Sequence, residues 1–282
     1  MTGPDPEDLR RVVETALAED LRYGPDATTA ATVPADAMAV GSFAARRPGV
    51  LAGIPAARAV LDAVVGDYEV LASAADGDRV GVGEAALTVR ASVRTFLTAE
   101  RTALNLLCHL SGVATATAAW VDAVAGTGAR IRDTRKTLPG LRLLEKYAVR
   151  CGGGVNHRFG LGDAVLIKDN HVVAAGSVGA ALRAAREHAP HLPCEVEVDS
   201  LAQLDEVLAL DAELVLLDNF SVPDTAEAVR RRGSLPTGLE SSGGLALATA
   251  RAYADTGVDF LAVGALTHSV TALDLGLDLL AG

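Results

Sequence analysis

Positive charge is concentrated in one short segment of an otherwise acidic chain. The segment RDTRKTLPGLRLLEKYAVRCGGGVNHR, residues 132–158, holds seven Arg or Lys residues and only two acids, whereas the whole chain of 282 residues carries a formal net charge of −11. All three lysines of the chain, Lys136, Lys146 and Lys168, lie in this segment or shortly after it. Because lysine offers a compact, tunable charge that arginine does not, this clustering indicates a local site for a small anion.

The basic segment divides into a helical part and a part that lies in loops. Arg142, Lys146 and Arg150 are spaced four apart on a predicted helix over 139–150, with Glu145 in reach of Arg142, which is typical of a solvent-exposed helix face. The other cations stand in predicted loops or at strand ends, and these are Arg135, Lys136, His157, Arg158 and Lys168. Arginine binds a carboxylate or phosphate with two prongs and lysine adds a point charge, so the second group is better placed to bind an anion.

From about residue 129 onward, short apolar runs alternate with amphipathic helical stretches. The runs end near positions 133, 168, 199, 218, 242 and 264. Repeated strand–helix units predict a parallel sheet or barrel, and because only six are clear, we expect an open, irregular (β/α) barrel. Strand-to-helix loops converge at one end of such a barrel, so the polar residues that end these runs predict a functional face.

Two acidic side chains end consecutive predicted strands. Glu197 and Asp218 should therefore lie close together. If a phosphate group binds nearby, as the glycine-containing turns described next suggest, these two carboxylates would repel it. Mg²⁺ is the hard cation that bridges carboxylate and phosphate oxygens. We expect Mg²⁺ as the cofactor with these two residues as its ligands. The alternative is that each carboxylate forms a structural ion pair with a neighbouring Arg or Lys.

Glycine-containing turns follow the last two predicted strands. SSGG covers residues 241–244 and GALTHS covers residues 264–269. Backbone N–H groups in such turns, at the start of a helix, suit a phosphate group. His171 and His268 lie in loops on the same face and could serve either as ligands or as structural residues.

The N-terminal part of the chain predicts a different architecture. Asp5 followed by Pro6 is a helix start, and short alternating segments over 25–92 predict strands around one helix near 54–65. A proline-free apolar stretch over 94–124 predicts one long, buried helix that links two domains.

The predicted class is therefore α/β, with a mixed α+β N-terminal unit over 1–110 and a barrel domain over 111–270. If the linking helix is broken, we expect the break near Ser111 and Gly112. We expect a C-terminal helix over 271–282 that packs back on the N-terminal domain.

Composition argues against several classes of protein. The net charge of −11 argues against nucleic acid or an anionic membrane as the main partner. Three widely spaced cysteines fit neither a disulfide framework nor a zinc site. The start MTGPDPEDLRRV is acidic and has no apolar core, so it predicts a cytoplasmic protein rather than a secreted one.

Several motifs occur in an order that resembles a known family. They are AERTALNLLCHLSG, DTRKTLPGLRLLEKYAVRCGGGVNHR, LIKDNH, EVEVDS, LLDNF, LESSGG and VGALTHS. Together they resemble the quinolinate phosphoribosyltransferases, also called nicotinate-nucleotide pyrophosphorylases (carboxylating). The resemblance spans essentially the whole chain. One departure is Ser241, where alanine is more usual.

The resemblance implies an N-terminal α/β sandwich, an open, irregular α/β barrel, and a homodimer with shared active sites, or a higher oligomer. It implies transfer of phosphoribosyl from phosphoribosyl pyrophosphate to quinolinate, with Mg²⁺ required. The products would be nicotinate mononucleotide, pyrophosphate and CO₂, in NAD biosynthesis.

The resemblance also assigns roles to individual residues. It gives Lys136, Lys168, Glu197 and Asp218 to catalysis and brings Arg101 of the partner subunit into the site. The substrate-binding set that it implies is Arg101, Thr134, Arg135, Lys136, His157, Arg158, Lys168, Glu197, Asp218, Ser242, Gly243, Gly244, Gly264, Ala265, Leu266 and His268. The cations would hold the carboxylates and the pyrophosphate, the two acids would face the ribose and Mg²⁺, and the residues from Ser242 onward would hold the 5′-phosphate.

Three other functions stay open at this point. A related family associated with molybdenum transport is similar in sequence, although the full basic set favours the quinolinate family. Lys168 at a strand end could be the Schiff-base nucleophile of an aldolase. A non-catalytic nucleotide-binding module is the third, and it fits poorly with so many converging charges.

Overall fold

The computed structural model describes residues 2–281, which form two compact units. In chain order the elements are α1 (Pro6–Asp20), α2 (Ala27–Thr32), β1 (Met38–Ala45), β2 (Gly49–Val50), α3 (Ile54–Val64), β3 (Glu69–Ser73), β4 (Arg79–Val80), β5 (Ala85–Ser92), α4 (Val93–Ala123), β6 (Arg130–Arg132), α5 (Arg142–Cys151), β7 (Val165–Ile167), α6 (Asp169–Ala175), α7 (Val178–His188), β8 (Cys194–Val198), α8 (Leu201–Leu208), β9 (Leu214–Asp218), α9 (Val222–Arg232), β10 (Gly238–Ser242), α10 (Leu247–Ala254), β11 (Phe260–Ala262), α11 (Ala265–His268) and β12 (Leu275–Ala281).

The first unit is built on a four-stranded antiparallel sheet. Its strand order is β12-β1-β5-β3, and the alternating segments before residue 92 form its strands as expected. Phe43 of β1 packs edge-on against Phe96 of α4, with ring centroids 5.7 Å apart and both side chains fully buried. α1 starts at Pro6 as predicted, because the Asp5 carboxylate accepts the N–H of Asp8 at 2.8 Å.

Helix α4 runs for 31 residues without a break at Ser111 or Gly112. The glycine has another use there, because a Cβ at position 112 would lie 2.9 Å from the Cα of Ala272. The residue before it, Ser111, donates its hydroxyl to the carbonyl of Ala52 at 3.1 Å. A small residue at 112 thus lets the C-terminal segment cross the helix backbone closely.

Length and composition would let α4 cross a membrane. It is the one helix among residues 2–281 that passes this test, and 61% of its most apolar stretch is buried inside the protein. That burial is typical of a core helix.

Two expectations about the first unit are wrong. Residues 275–281 form strand β12 rather than a helix, and β12 pairs with β1 from Ala39 to Ala45. The sequence LGLDLLA alternates and completes a sheet edge, which outweighs the helical tendency of its leucines. Lys146 is fully buried rather than on a solvated face, because α5 is enclosed along almost its whole length.

The division of the chain also differs from the expected boundaries. The first unit takes Met1–Ala118, Thr137–Gly153 and Leu266–Gly282, and the second takes Ala119–Lys136 and Gly154–Ala265. Helix α5 belongs to the first unit because its side chains bond there. The Tyr147 hydroxyl, for example, donates to Asp76 at 2.7 Å.

The second unit is a six-stranded sheet in which every neighbouring pair is parallel. The strand order is β6-β11-β10-β9-β8-β7, and all six predicted strands are present. Helices α7 to α10 fill the connections near their expected positions. This is the α/β unit with parallel strands that the repeated strand–helix pattern predicts.

The sheet is strongly curved into an open barrel. Arg132 on β6 and Glu195 on β8 are four places apart in the strand order, which in a flat sheet would separate them by about 19 Å. Their side chains nevertheless approach to 3.5 Å, between Nη1 and Oε2. The inward faces of strands that are distant in the sheet therefore meet.

We expect Gly112→Ala to lower the free energy of unfolding by about 1–2 kcal/mol, even though alanine favours helices, because the added methyl would overlap the backbone of the C-terminal segment. Denaturant titration followed by circular dichroism measures the free energy of unfolding of each variant. Gly128→Ala is the matched control, since nothing lies within 4 Å of a Cβ added there. Equal or greater stability of Gly112→Ala would contradict this packing.

Candidate functional site

A cavity of about 500 Å³ opens at the carboxyl ends of the barrel strands. The structure brings together there ten of the residues predicted from the sequence: Thr134, Arg135, Lys136, His157, Arg158, Lys168, Glu197, Asp218, Ser242 and Gly243. All of them belong to the second unit. Residues that lie far apart in the chain meet because each follows or ends a parallel strand.

The remaining predicted residues do not line this cavity. Gly244, Gly264 and Ala265 lie in the second unit outside it. Arg101, Leu266 and His268 belong to the first unit, where Arg101 is exposed on α4. Ser241 is buried behind the cavity wall, and its hydroxyl has no hydrogen-bond partner among the described residues, so nothing in the structure explains it.

One side of the cavity is crowded with positive charge. The Nε atoms of Arg135 and Arg158 are buried and have no hydrogen-bond partner among residues 2–281. Burial and then the Arg135 charge lower the pKa of the Arg158 guanidinium. Arg158 is steadied by a 3.3 Å bond from Nη1 to the carbonyl of Ala164. Two neighbouring guanidinium groups, each with an unused Nε donor, suit the binding of an anion.

The cavity is also lined by two carboxylates, those of Glu197 and Asp218. Lys168 Nζ lies 2.7 Å from Glu197 Oε2, so the structural ion pair that the sequence left open is present for Glu197. Burial and then the charge of Glu197 raise the pKa of Asp218. Both acids therefore face the cavity, and their mutual repulsion makes the pair a suitable oxygen donor set for a hard cation.

Asn219 is a site residue that the sequence analysis missed. Its Nδ2 donates to Asp218 Oδ2 at 2.8 Å, and its backbone N–H donates to the carbonyl of Ser242 at 2.9 Å. Its φ of +57° is in the left-handed region, which asparagine tolerates better than most residues. The Asp-Asn pair directly after an apolar run was the available signal for this turn.

A buried polar network, which reaches the cavity at His157 and Glu240, was also missed. Arg132 Nη1 is 2.6 Å from Glu240 Oε2 and 3.5 Å from Glu195 Oε2. His157 Nε2 lies 3.0 Å from the same Glu195 oxygen. The signal was the presence of acids within CEVEV and GLESS, because strands of a parallel sheet are usually apolar on both faces.

The two buried glutamates hold protons more tightly than usual. Burial raises the pKa of each to about 7, and their like charges add to this at Glu240, while Arg132 acts in the opposite direction. The Oε1 atom of each acid is buried without a hydrogen-bond partner among the described residues. Near neutral pH the pair therefore retains about one proton.

Asp133 fixes the loop that carries His157. This fully buried carboxylate accepts the His157 N–H at 2.8 Å through Oδ1 and the Asn156 side-chain amide at 2.6 Å through Oδ2. Val155, just before, bridges to Arg132 in parallel fashion. The loop after the glycine run is thereby held along the edge of the barrel.

Two family models match most of the chain. The model described as "Quinolinate phosphoribosyl transferase, N-terminal domain" matches residues 26–111, and the one described as "Quinolinate phosphoribosyl transferase, C-terminal domain" matches residues 113–278. The chain is 64% identical over 274 residues to the nicotinate-nucleotide pyrophosphorylase (carboxylating) of Mycobacterium leprae, covering 96% of each chain. It is 39% identical to the quinolinate phosphoribosyltransferase (decarboxylating) 1b of Nicotiana tabacum, over 96% of this chain and 82% of that one.

Solved structures are similar over the whole fold. The nicotinate-nucleotide pyrophosphorylase of Francisella tularensis has a TM-score of 0.91 and 38% identity, covering 97% of this chain and 96% of that one. NadC of Streptococcus pyogenes has a TM-score of 0.91 and 40% identity, covering 99% of this chain and all of that one.

The raised pKa values of the buried acids determine how the free energy of unfolding should depend on pH. Because folding raises the pKa of Glu240 from 4.5 to about 7, the folded state keeps a proton that the unfolded chain releases. Stability from this group is therefore present below pH 4.5 and is lost as pH rises to about 7, by at most about 1.4 kcal/mol per pH unit. In Glu240→Gln the free energy of unfolding should fall less steeply over this range. Urea titrations at pH 5, 6, 7 and 8 measure the slope, and an unchanged slope would contradict the assignment.

Proposed function

The chain belongs to the quinolinate phosphoribosyl transferase family, and from this membership we propose that it transfers phosphoribosyl from phosphoribosyl pyrophosphate to quinolinate. The transfer is coupled to decarboxylation and gives nicotinate mononucleotide, pyrophosphate and CO₂, a step of NAD biosynthesis. The observation that carries the proposal is the cavity lining with two guanidinium groups whose Nε donors have no partner among the described residues, since quinolinate is a dianion and its co-substrate carries several further negative charges.

Quinolinate binds on the cationic side of the cavity. Arg135 and Arg158 each offer a buried Nε donor, and Lys136 and Lys168 line the same cavity. A planar guanidinium pairs with a carboxylate through two parallel hydrogen bonds, which orients the pyridine ring as well as binding it. The lysines add point charge toward the carboxylates and the pyrophosphate.

The ribose and Mg²⁺ lie on the acidic side. Glu197 and Asp218 are the proposed ligands, and the elevated pKa of Asp218, caused by burial and then by Glu197, supports a cation between them. Bound Mg²⁺ supplies charge neutralisation for the pyrophosphate. The turn at Ser242 and Gly243 follows β10, and its backbone N–H groups suit the 5′-phosphate. The parts proposed for Gly244 and for 264–268 stay predictions.

The chemistry has two halves, and the chain's own side chains support the first. In the first half the pyridine nitrogen forms a bond to the ribose C1, and the C1–O bond breaks with its electron pair leaving on pyrophosphate. Positive charge develops on the ribose, and the carboxylates of Glu197 and Asp218 stabilise it. In the second half the bond to the carboxyl carbon beside the nitrogen breaks. Its electron pair stays on the ring beside the now cationic nitrogen and then takes a proton.

The alternative functions are less well supported. Lys168 Nζ is paired with Glu197 at 2.7 Å and is half-exposed, unlike the desolvated amine of a Schiff-base enzyme. A passive nucleotide-binding module would not need so many cationic and acidic side chains around one cavity. The family associated with molybdenum transport is disfavoured by the full basic set. Location in the cytoplasm remains a prediction from the sequence.

A product assay tests the proposal. The protein is incubated with quinolinate, phosphoribosyl pyrophosphate and Mg²⁺, and nicotinate mononucleotide and CO₂ are quantified, with nicotinate replacing quinolinate as the control. Stoichiometric release of both products from quinolinate alone is expected. Turnover of nicotinate without turnover of quinolinate would refute it.

Lys136→Ala should reduce quinolinate affinity about 10-fold to 100-fold, because one charge-assisted contact to a carboxylate is lost. Lys136 is exposed at the cavity mouth, so the fold should be unaffected. Isothermal titration calorimetry measures the affinity and thermal unfolding controls for structure. Unchanged affinity would remove Lys136 from the quinolinate contacts.

We also propose a homodimer, or a higher oligomer, in which Arg101 of the partner subunit completes each site. Arg101→Ala and Lys168→Ala should each be inactive alone. After subunit exchange, a mixture should regain up to about a quarter of the wild-type activity, because a mixed dimer would contain one site with neither substitution. Subunit exchange is verified by giving each variant a different affinity tag and purifying the dimers that carry both tags. No recovery in verified mixed dimers would contradict shared sites.

A further inference from the structure

Both nitrogens of the His157 ring are already engaged by the protein. Nδ1 accepts the backbone N–H of Arg158 at 2.7 Å, and Nε2 lies 3.0 Å from Glu195 Oε2. Since Nδ1 accepts a hydrogen bond, it carries no proton, and the ring proton is on Nε2, where it is donated to Glu195. The geometry thus specifies a neutral imidazole with one tautomer.

The acceptor that selects this tautomer is itself held from two other strands. Glu195 on β8 meets Arg132 on β6, and Arg132 binds Glu240 on β10 at 2.6 Å. Glu195 and His157 are at most 7% exposed, and Glu240 is fully buried. Glu195 is therefore held in place by side chains from two other strands.

A metal ion is a poor alternative occupant of this cluster. One ligand atom from each of His157, Glu195 and Glu240 lies within 4.8 Å of the others, as a metal site would need. The guanidinium of Arg132, however, already donates to one glutamate and contacts the other. An added cation would face that fixed positive charge at close range.

We propose that Arg132, Glu195 and Glu240 are positioning residues that fix the His157 tautomer and, through Nδ1, the backbone of Arg158. Arg158 follows His157 directly, so the direction of its N–H sets where its guanidinium enters the cavity. The network therefore sets the quinolinate side of the pocket and leaves the ribose side unaffected. The kinetic test of this inference rests on the proposed function, whereas the ¹⁵N-histidine measurement of the tautomer does not.

Two substitutions at Glu195 separate positioning from bulk stability. In Glu195→Gln the amide oxygen can still accept from Nε2, whereas Glu195→Leu has a similar volume and no acceptor. We expect Glu195→Leu to raise KM for quinolinate about 10-fold to 100-fold, with KM for phosphoribosyl pyrophosphate changed less than about twofold. Glu195→Gln should stay within about threefold of wild type for both.

Thr237→Val is the matched control. It removes another buried hydrogen bond of the barrel, 2.7 Å from the hydroxyl to the carbonyl of Ala212, just before β10 and at the strand end opposite Ser242. We expect a lower Tm and unchanged KM values. If Glu195→Leu also lowers Tm but leaves KM for quinolinate unchanged, or if both KM values rise equally in both Glu195 variants, the proposal is overturned.

The tautomer can be read directly in the unmodified protein. In ¹⁵N-histidine-labelled protein at pH 7.5, the His157 signals, assigned with His157→Gln, should show protonated Nε2 and unprotonated Nδ1. A protonated Nδ1 would overturn the proposal, even if Glu195→Leu fails to fold. Because this measurement needs no substrate, it stands apart from any failure of the proposed reaction.

Discussion

Like charges held side by side at the ends of parallel strands are the constraint on which this site depends. Arg135 and Arg158 face each other's positive charge, and Glu197 faces Asp218. In water such groups would separate, but each is attached to a strand end or to a loop fixed by hydrogen bonds. A bound anion would relieve the repulsion between the arginines, and a bound cation would relieve the repulsion between the acids.

The curved sheet makes that arrangement possible. It allows Arg132, Glu195 and Glu240 to meet inside the barrel next to the cavity, where a barrel usually carries branched apolar side chains. A buried ionic cluster contributes little net stability compared with an apolar layer of equal volume. Its presence here is explained by what it holds, since Glu195 contacts His157, which lines the cavity next to Arg158.

Much of this structure could be predicted from the sequence, because regular alternation reports backbone structure well. The six strand-end positions from Asp133 to Gly264 identified the face that carries the cavity. Side-chain environment was harder to predict. The spacing of Arg142, Lys146 and Arg150 indicates one helix face, but not that packing on several sides would bury Lys146. The C-terminal segment became a strand because β1 offered it an edge, which only the tertiary structure reveals.

The missed residues share one physical property, which is that they act on other side chains rather than on a ligand. Asn219 orients Asp218, and Asp133 orients the loop before Arg158. Such residues need no charge pattern of their own. Their positions follow from hydrogen-bond geometry, which spacing along the chain does not encode.

We expect the cavity to recognise a pair of carboxylates by charge, and equilibrium binding tests this recognition most directly. Calorimetric titration of the wild-type protein with quinolinate and with nicotinate, each at low and high salt, compares a dianion with a monoanion on one ring. Quinolinate should bind about 10-fold to 100-fold more tightly than nicotinate. The ratio of the two affinities should become smaller as salt screens the charges. Equal affinity for the two ligands, independent of salt, would contradict it.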